Sequence, residues 1–168
     1  LVAETALSQG RYMQAMPEYG PERTGAPLKA YTRVCDTPIE VHNNITNPQI
    51  VVVLDETLLD LENVTEGMAQ DGTVILNTRM TPAEAREKRG VSDQVTVATV
   101  DASGIAMATI HRNIPNTPIV AALSKVTDVI PYDEFVQHLK TTFGKKFSQQ
   151  IIDANLESVK RAYEEVQQ

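Results

Sequence analysis

Residues Ile50 to Leu54 read IVVVL, an unbroken apolar run dominated by valine. The run is too short for a helix. Its β-branched side chains lose rotamer freedom in a helix but pack well on a pleated surface. It shows no polar alternation, so the spacing predicts a strand covered on both faces, as in parallel sheets. Two more segments of the same kind follow, Thr73–Leu76 and Val95–Val100. Between and after them lie helical patterns. Thr81-Pro82-Ala83-Glu84 opens one with an N-cap and a proline at the first helical position, and Gly90 stops it. The stretch from Gly104 reads as another. Strand and helix alternating in this way imply an α/β fold, layered, with a largely parallel sheet flanked by helices. Asp55, Asn77 and Asp101 each follow a strand directly. Ligands of parallel sheets gather at that end, but Asp and Asn also cap helices there, and capping is the reading preferred for all three.

The flanking regions are different. Leu1–Gly10 has helical spacing and a Gly stop, and RYMQAMP (Arg11–Pro17) reads as a short strand. PLKAYTRVCD (Pro27–Asp36) alternates as a half-buried strand, and PIEVHN (Pro38–Asn43) as a short strand or edge segment. Toward the C-terminus an apolar helix is expected from about Ile119 to Val126. An amphipathic one follows, with Phe135, Leu139 and Phe143 on one face, and then a last one striped by Ile152, Leu156, Val159 and Tyr163. The last two form a C-terminal helical hairpin. No repeat or linker interrupts the chain, so residues 1–168 read as a single domain.

Composition narrows the function. A formal net charge of −7 argues against an extended nucleic-acid surface. No apolar run approaches the ~20 residues of a membrane span, and no signal peptide is visible, so a cytoplasmic protein is expected. The single cysteine, Cys35, cannot by itself make a disulfide, a cysteine-rich zinc site or an iron–sulfur cluster, and it reads as a packed strand residue. His42, His111 and His138 lack metal-pair spacing, and neither a G-x-S-x-G elbow nor a P-loop is present. No catalytic or metal-binding residue is therefore assigned.

Two corners carry the binding signals. The first is PEYGPERTGAP, Pro17 to Pro27, where prolines and glycines brace Glu18, Tyr19, Gly20, Arg23, Thr24 and Gly25. Arg23 has the planar fork that pairs with a phosphate or a carboxylate. The second is IPNTP, Ile114 to Pro118, which holds Asn116 and Thr117 at a helix start, where anions are favoured.

At these corners the sequence resembles the gamma subunit of pyruvate:ferredoxin oxidoreductase, also called pyruvate synthase. The resemblance rests on QAMPEYGPERTGAPLKAYTRVCDTPI (Gln14–Ile39), NPQIVVVLDETLL (Asn47–Leu59), IPNTPIVAALSKVTDVIP (Ile114–Pro131) and FGKKFSQQIIDANLESVKRAYEEV (Phe143–Val166). It covers nearly the whole chain. The family opens with a strand and a Gly-rich loop that would lie upstream of Leu1. The resemblance implies an enzyme of several subunits, not catalytic through this chain alone, that converts pyruvate, coenzyme A and oxidised ferredoxin to acetyl-CoA, carbon dioxide and reduced ferredoxin. It implies alpha, beta and delta partner subunits, with thiamine diphosphate, magnesium and iron–sulfur clusters held by those partners and none by this chain. Glu18 to Gly25, flanked by Asn116 and Thr117, would then dock against the catalytic subunits near the entry for coenzyme A. Two other readings stay open. One is a gamma subunit acting on 2-oxoglutarate, a branched 2-oxoacid or oxalate. The other is a free-standing small-molecule binding module.

Overall fold

The computed structural model describes residues 1–18, 27–61 and 63–168. Helix α1 (Val2–Ser8) leads into strands β1 (Tyr12–Glu18) and β2 (Lys29–Cys35), which pair antiparallel as a two-stranded ribbon in register from Tyr12↔Cys35 to Glu18↔Lys29. Strands β3 (Ile50–Val53), β4 (Thr73–Asn77) and β5 (Thr96–Val100) form a separate parallel sheet in that order. Helix α2 (Pro82–Arg89) crosses from β4 to β5, and α3 (Ala102–Thr109) leaves β5. Helices α4 (Asn116–Val126), α5 (Tyr132–Gly144) and α6 (Gln149–Glu165) complete the described chain. The α/β architecture with a parallel sheet and a C-terminal helix pair is thus as read, and the antiparallel ribbon is added to it.

The period of two along the strands divides the core. Ile75, Ala98 and Val100 face α3–α6, in one cluster with Ile105, Ile119, Leu123, Phe135, Leu139 and Val159. Val53, Val74, Leu76 and Val97 face the other way, onto Ala85 of α2 and Val95. Helix α6 packs chiefly on α4, and Ala121 and Ala122 of α4 and Ala162 of α6 are fully buried in the same cluster. Gly72 sets the entry to β4. A Cβ there would lie 2.8 Å from the carbonyl oxygen of Gln49, so the neighbouring chain comes too close for any side chain.

Three expectations change. PIEVHN forms no strand. Arg33 explains its course instead: Nη1 donates to the Gln14 side chain (2.6 Å) and to the Val41 carbonyl (2.9 Å), and Nη2 to the Asn43 carbonyl (3.3 Å). The segment follows the guanidinium, not a strand neighbour. Second, β3 is not covered on both faces. It lies at the edge of the described sheet, and Val52 and Leu54 are 37% and 45% exposed. The packed helices cover β4 and β5 but leave this end of the face open. Third, α4 starts at Asn116, not near Ile119. Pro118 falls in its first turn, where backbone N–H groups have no intrahelical acceptor and a proline costs nothing.

Candidate functional site

Two regions present polar side chains in a fixed arrangement. The first is the carboxyl edge of the parallel sheet. Asp55 ends the chain after β3 and caps the 3-10 turn Glu56–Asp60, accepting from the Thr57 amide at 3.0 Å and the Thr57 hydroxyl at 2.7 Å. These bonds, the hydroxyl's first, hold the Asp55 carboxyl below its ordinary pKa. Asn77 ends β4 and is 7% exposed. Its amide nitrogen donates to the Leu54 carbonyl (2.7 Å) and the Ser103 hydroxyl (2.9 Å), while its oxygen accepts from the Ser103 amide (3.1 Å). One side chain at the end of β4 so joins the residue after β3 to the first turn of α3. The Thr78 hydroxyl donates to Glu56 at 2.6 Å. Asp101 ends β5 and caps α3 by accepting from the Gly104 amide at 2.8 Å, and its second oxygen accepts from Arg79 Nε at 2.9 Å. The capping roles read for Asp55 and Asp101 are what the structure contains. Asn77 accepts from a first-turn amide too, that of Ser103, but on α3 and not on the segment that follows its own strand.

Beside this network lies a cleft of about 430 Å³ lined by Thr78, Arg79, Met80, Asp101, Glu165 and Gln167, among others. Gln167 reaches it because the residues after α6 turn back to the sheet. Its amide donates to the Thr99 carbonyl (3.0 Å), and the Thr99 amide donates to its carbonyl (2.9 Å). Sequence reasoning passed over Thr78, Arg79 and Gln167. For the first two a signal existed, since they directly follow a strand of the parallel sheet. For Gln167 there was none, because its partner is distant in sequence.

The second region is the β1–β2 ribbon. Its base is fixed: Arg11 donates through Nε to Asp36 (2.7 Å) and through Nη1 to the Val129 carbonyl (2.8 Å). Its far end is open. Pro17, Glu18, Pro27 and Lys29 are exposed, and Leu28 is 70% exposed. Glu18 accepts from the Tyr31 hydroxyl at 3.2 Å. Of the other predicted residues of this corner, Tyr19, Gly20, Arg23, Thr24 and Gly25 lie outside the described residues. Asn116 is exposed at the first position of α4, whereas Thr117 turns inward and is 4% exposed. The ribbon's base meets the chain just beyond the C-terminal end of α4, and Asn116 and Thr117 stand at that helix's other end. No hydrogen bond joins Glu18 to either of them among the described residues. Cys35 sits half-buried at the ribbon's base. The Thr37 hydroxyl, 3.4 Å from its sulfur, draws the thiol pKa down.

Neither region holds a nucleophile paired with a base among the described residues. Among the described residues no group of three or more His, Cys, Asp and Glu is placed to hold a metal ion, and no helix is long and apolar enough to cross a membrane. What both offer is binding: a rigid polar edge beside a cleft, and a projecting ribbon.

Comparison with known proteins gives the class to which this α/β domain belongs. The profile of the family described as Pyruvate ferredoxin/flavodoxin oxidoreductase matches residues 1–165. The pyruvate synthase subunit PorC of Thermotoga maritima is 45% identical over 166 residues, which span 99% of this chain and 85% of that protein. The pyruvate/ketoisovalerate oxidoreductases common subunit gamma of Pyrococcus abyssi is 36% identical over 99% of this chain and 88% of its own length. Among solved structures, the pyruvate oxidoreductase subunit PORC of Thermotoga maritima superposes with a TM-score of 0.84 at 41% identity, covering 99% of this chain and 86% of that one. The 2-oxoglutarate:ferredoxin oxidoreductase of Magnetococcus marinus, solved with 2-oxoglutarate, coenzyme A and succinyl-CoA bound, shares the fold at a TM-score of 0.75 and 14% identity. There the match covers 96% of this chain and 27% of the larger one. The chain belongs to the pyruvate:ferredoxin and 2-oxoacid:ferredoxin oxidoreductase family, as a gamma subunit of the PorC-like kind.

Proposed function

We propose that this chain is the gamma subunit of a pyruvate:ferredoxin oxidoreductase, the enzyme that converts pyruvate, coenzyme A and oxidised ferredoxin to acetyl-CoA, carbon dioxide and reduced ferredoxin. The observation that carries the reading is the 45% identity to a pyruvate synthase subunit over 99% of the chain. In this reading the chain serves assembly and the coenzyme A side of the site. The thiamine diphosphate, its magnesium and the iron–sulfur clusters belong to alpha, beta and delta partners. The single cysteine supports that division, since a cluster needs several thiolates. The ribbon supports the docking role proposed for Glu18, Tyr19, Gly20, Arg23, Thr24 and Gly25: the described residues beside that corner include Leu28, 70% exposed.

The experiment is purification of the native complex through this chain. Three further polypeptides, iron and thiamine diphosphate should accompany it, and the preparation should reduce ferredoxin with pyruvate and coenzyme A. Leu28→Asp should leave the folding of this chain unchanged and lower recovery of the partners. Recovery of the chain alone, or equal recovery with Leu28→Asp, argues against the docking role. One relative specifically favours a wider substrate range. The Pyrococcus abyssi protein is a common subunit of pyruvate and ketoisovalerate oxidoreductases, so a branched 2-oxoacid belongs in the same assay beside pyruvate.

A further inference from the structure

Four arginines, Arg11, Arg33, Arg86 and Arg89, spend terminal nitrogens on the fold. Arg33 and Arg86 give both of theirs to the chain around them, chiefly to backbone carbonyls, and Arg11 gives one to the Val129 carbonyl. Arg79 does not. Only its Nε is engaged, with Asp101, and among the described residues its two terminal NH₂ groups donate to nothing; Arg161 is held the same way on Glu165, but of the two it is Arg79 that lines the cleft. The side chain is 84% exposed, yet its anchor is not loose: Asp101 is 35% exposed and is itself fixed as the cap of α3. A guanidinium carries five N–H donors in one plane. Held through Nε, Arg79 presents the other four from the rim of the cleft at the carboxyl edge. The carboxylates nearby already have donors, Glu56 from Thr78 at 2.6 Å and Glu165 from Arg161 at 2.7 Å. The arrangement is that of an oxyanion receptor. A fixed planar fork matches two oxygens of a phosphate group, and a cleft of about 430 Å³ admits a ligand of small-molecule size.

We propose that Arg79 binds a phosphate group of a substrate at the carboxyl-edge cleft. The inference rests on the reading above that the chain works beside coenzyme A, the phosphate-bearing substrate of that reaction. Steady-state kinetics of the assembled complex test it, with coenzyme A, dephospho-coenzyme A and pyruvate each varied in turn. Arg79→Ala should raise the KM for coenzyme A by about 10- to 100-fold, the loss expected when one charge-assisted contact is removed. The KM for pyruvate and kcat should stay within about twofold. Arg79→Lys should recover little, because a point charge without the Nε anchor loses the fork. A loss confined to coenzyme A assigns its 3′-phosphate, and a loss shared with dephospho-coenzyme A assigns the diphosphate. An unchanged KM for coenzyme A, or a rise for pyruvate instead, overturns the proposal. A complex that turns over without coenzyme A would refute the reading of function. The inference is then decided by calorimetric titration of the same complex with inorganic pyrophosphate, whose binding must weaken about tenfold or more in Arg79→Ala if the inference holds.

Discussion

Asn77 shows how much one buried amide can organise. Its three hydrogen bonds join the end of β3 to the start of α3 across the end of β4. Replacement by Ala removes the partner of the Leu54 carbonyl and of the Ser103 amide and leaves a gap where a 7% exposed side chain was packed. A cost of about 2 kcal/mol is expected, read as a lower urea midpoint at an unchanged m-value. At Thr81 the same scale gives a pH dependence. Its hydroxyl accepts from the Glu84 amide (3.3 Å), and the Glu84 carboxylate accepts from the Thr81 amide at 2.7 Å. The Thr81 amide, and then its hydroxyl, hold the Glu84 pKa below its usual value. A depressed folded-state pKa contributes stability above the unfolded pKa of about 4.3, and that contribution fades as pH falls through the folded value. Glu84→Ala should therefore be less stable than the parent near neutrality, and the gap should close on acidification, as followed by thermal melts between pH 7 and pH 3. These caps were legible in the sequence because each involves residues within a few positions. The clamp made by Asn77 was not, since its partners lie 23 and 26 residues away.

At the scale of elements, the packed helices α4 and α6 each bury small residues in the larger cluster. Ala121 and Ala122 on one helix and Ala162 on the other are fully buried in the larger cluster. Ala122→Leu adds volume at a fully buried position and should cost about 1–3 kcal/mol, seen in a denaturant titration. The sequence's apolar periodicity located nearly every helix and strand, because periodicity is a property of local chain geometry. It could not tell that β3 lies at an edge. A run of valines looks the same whether a helix covers it or not, and only the placement of α4 over β4 and β5 left Val52 open. Nor could it predict that PIEVHN would follow Arg33, since a β-like pattern of residues does not reveal whether a strand partner is available. Of the candidate site, the ribbon was marked by its prolines and glycines, whereas the cleft required knowing that Gln167 returns to Thr99.

Over the whole molecule, the two cores are unequal. The helical face joins α1, α3, α4, α5 and α6 to the sheet, while the opposite face rests on one short helix and a few side chains. The candidate binding features sit away from the larger core: among the described residues the ribbon's far end is exposed, and the cleft lies along the strand ends. This separation suits a subunit whose stability and recognition are altered by different substitutions. Changes at Ala122 should alter folding, and changes at Leu28 or Arg79 should alter only what the folded chain meets. The backbone pairing of Gln167 with Thr99 has a practical corollary for anyone handling this protein. A bulky fluorescent label attached to the side chain at position 167 would sit on the wall of the cleft beside Arg79, so the reporter would itself act as a competitor for whatever enters.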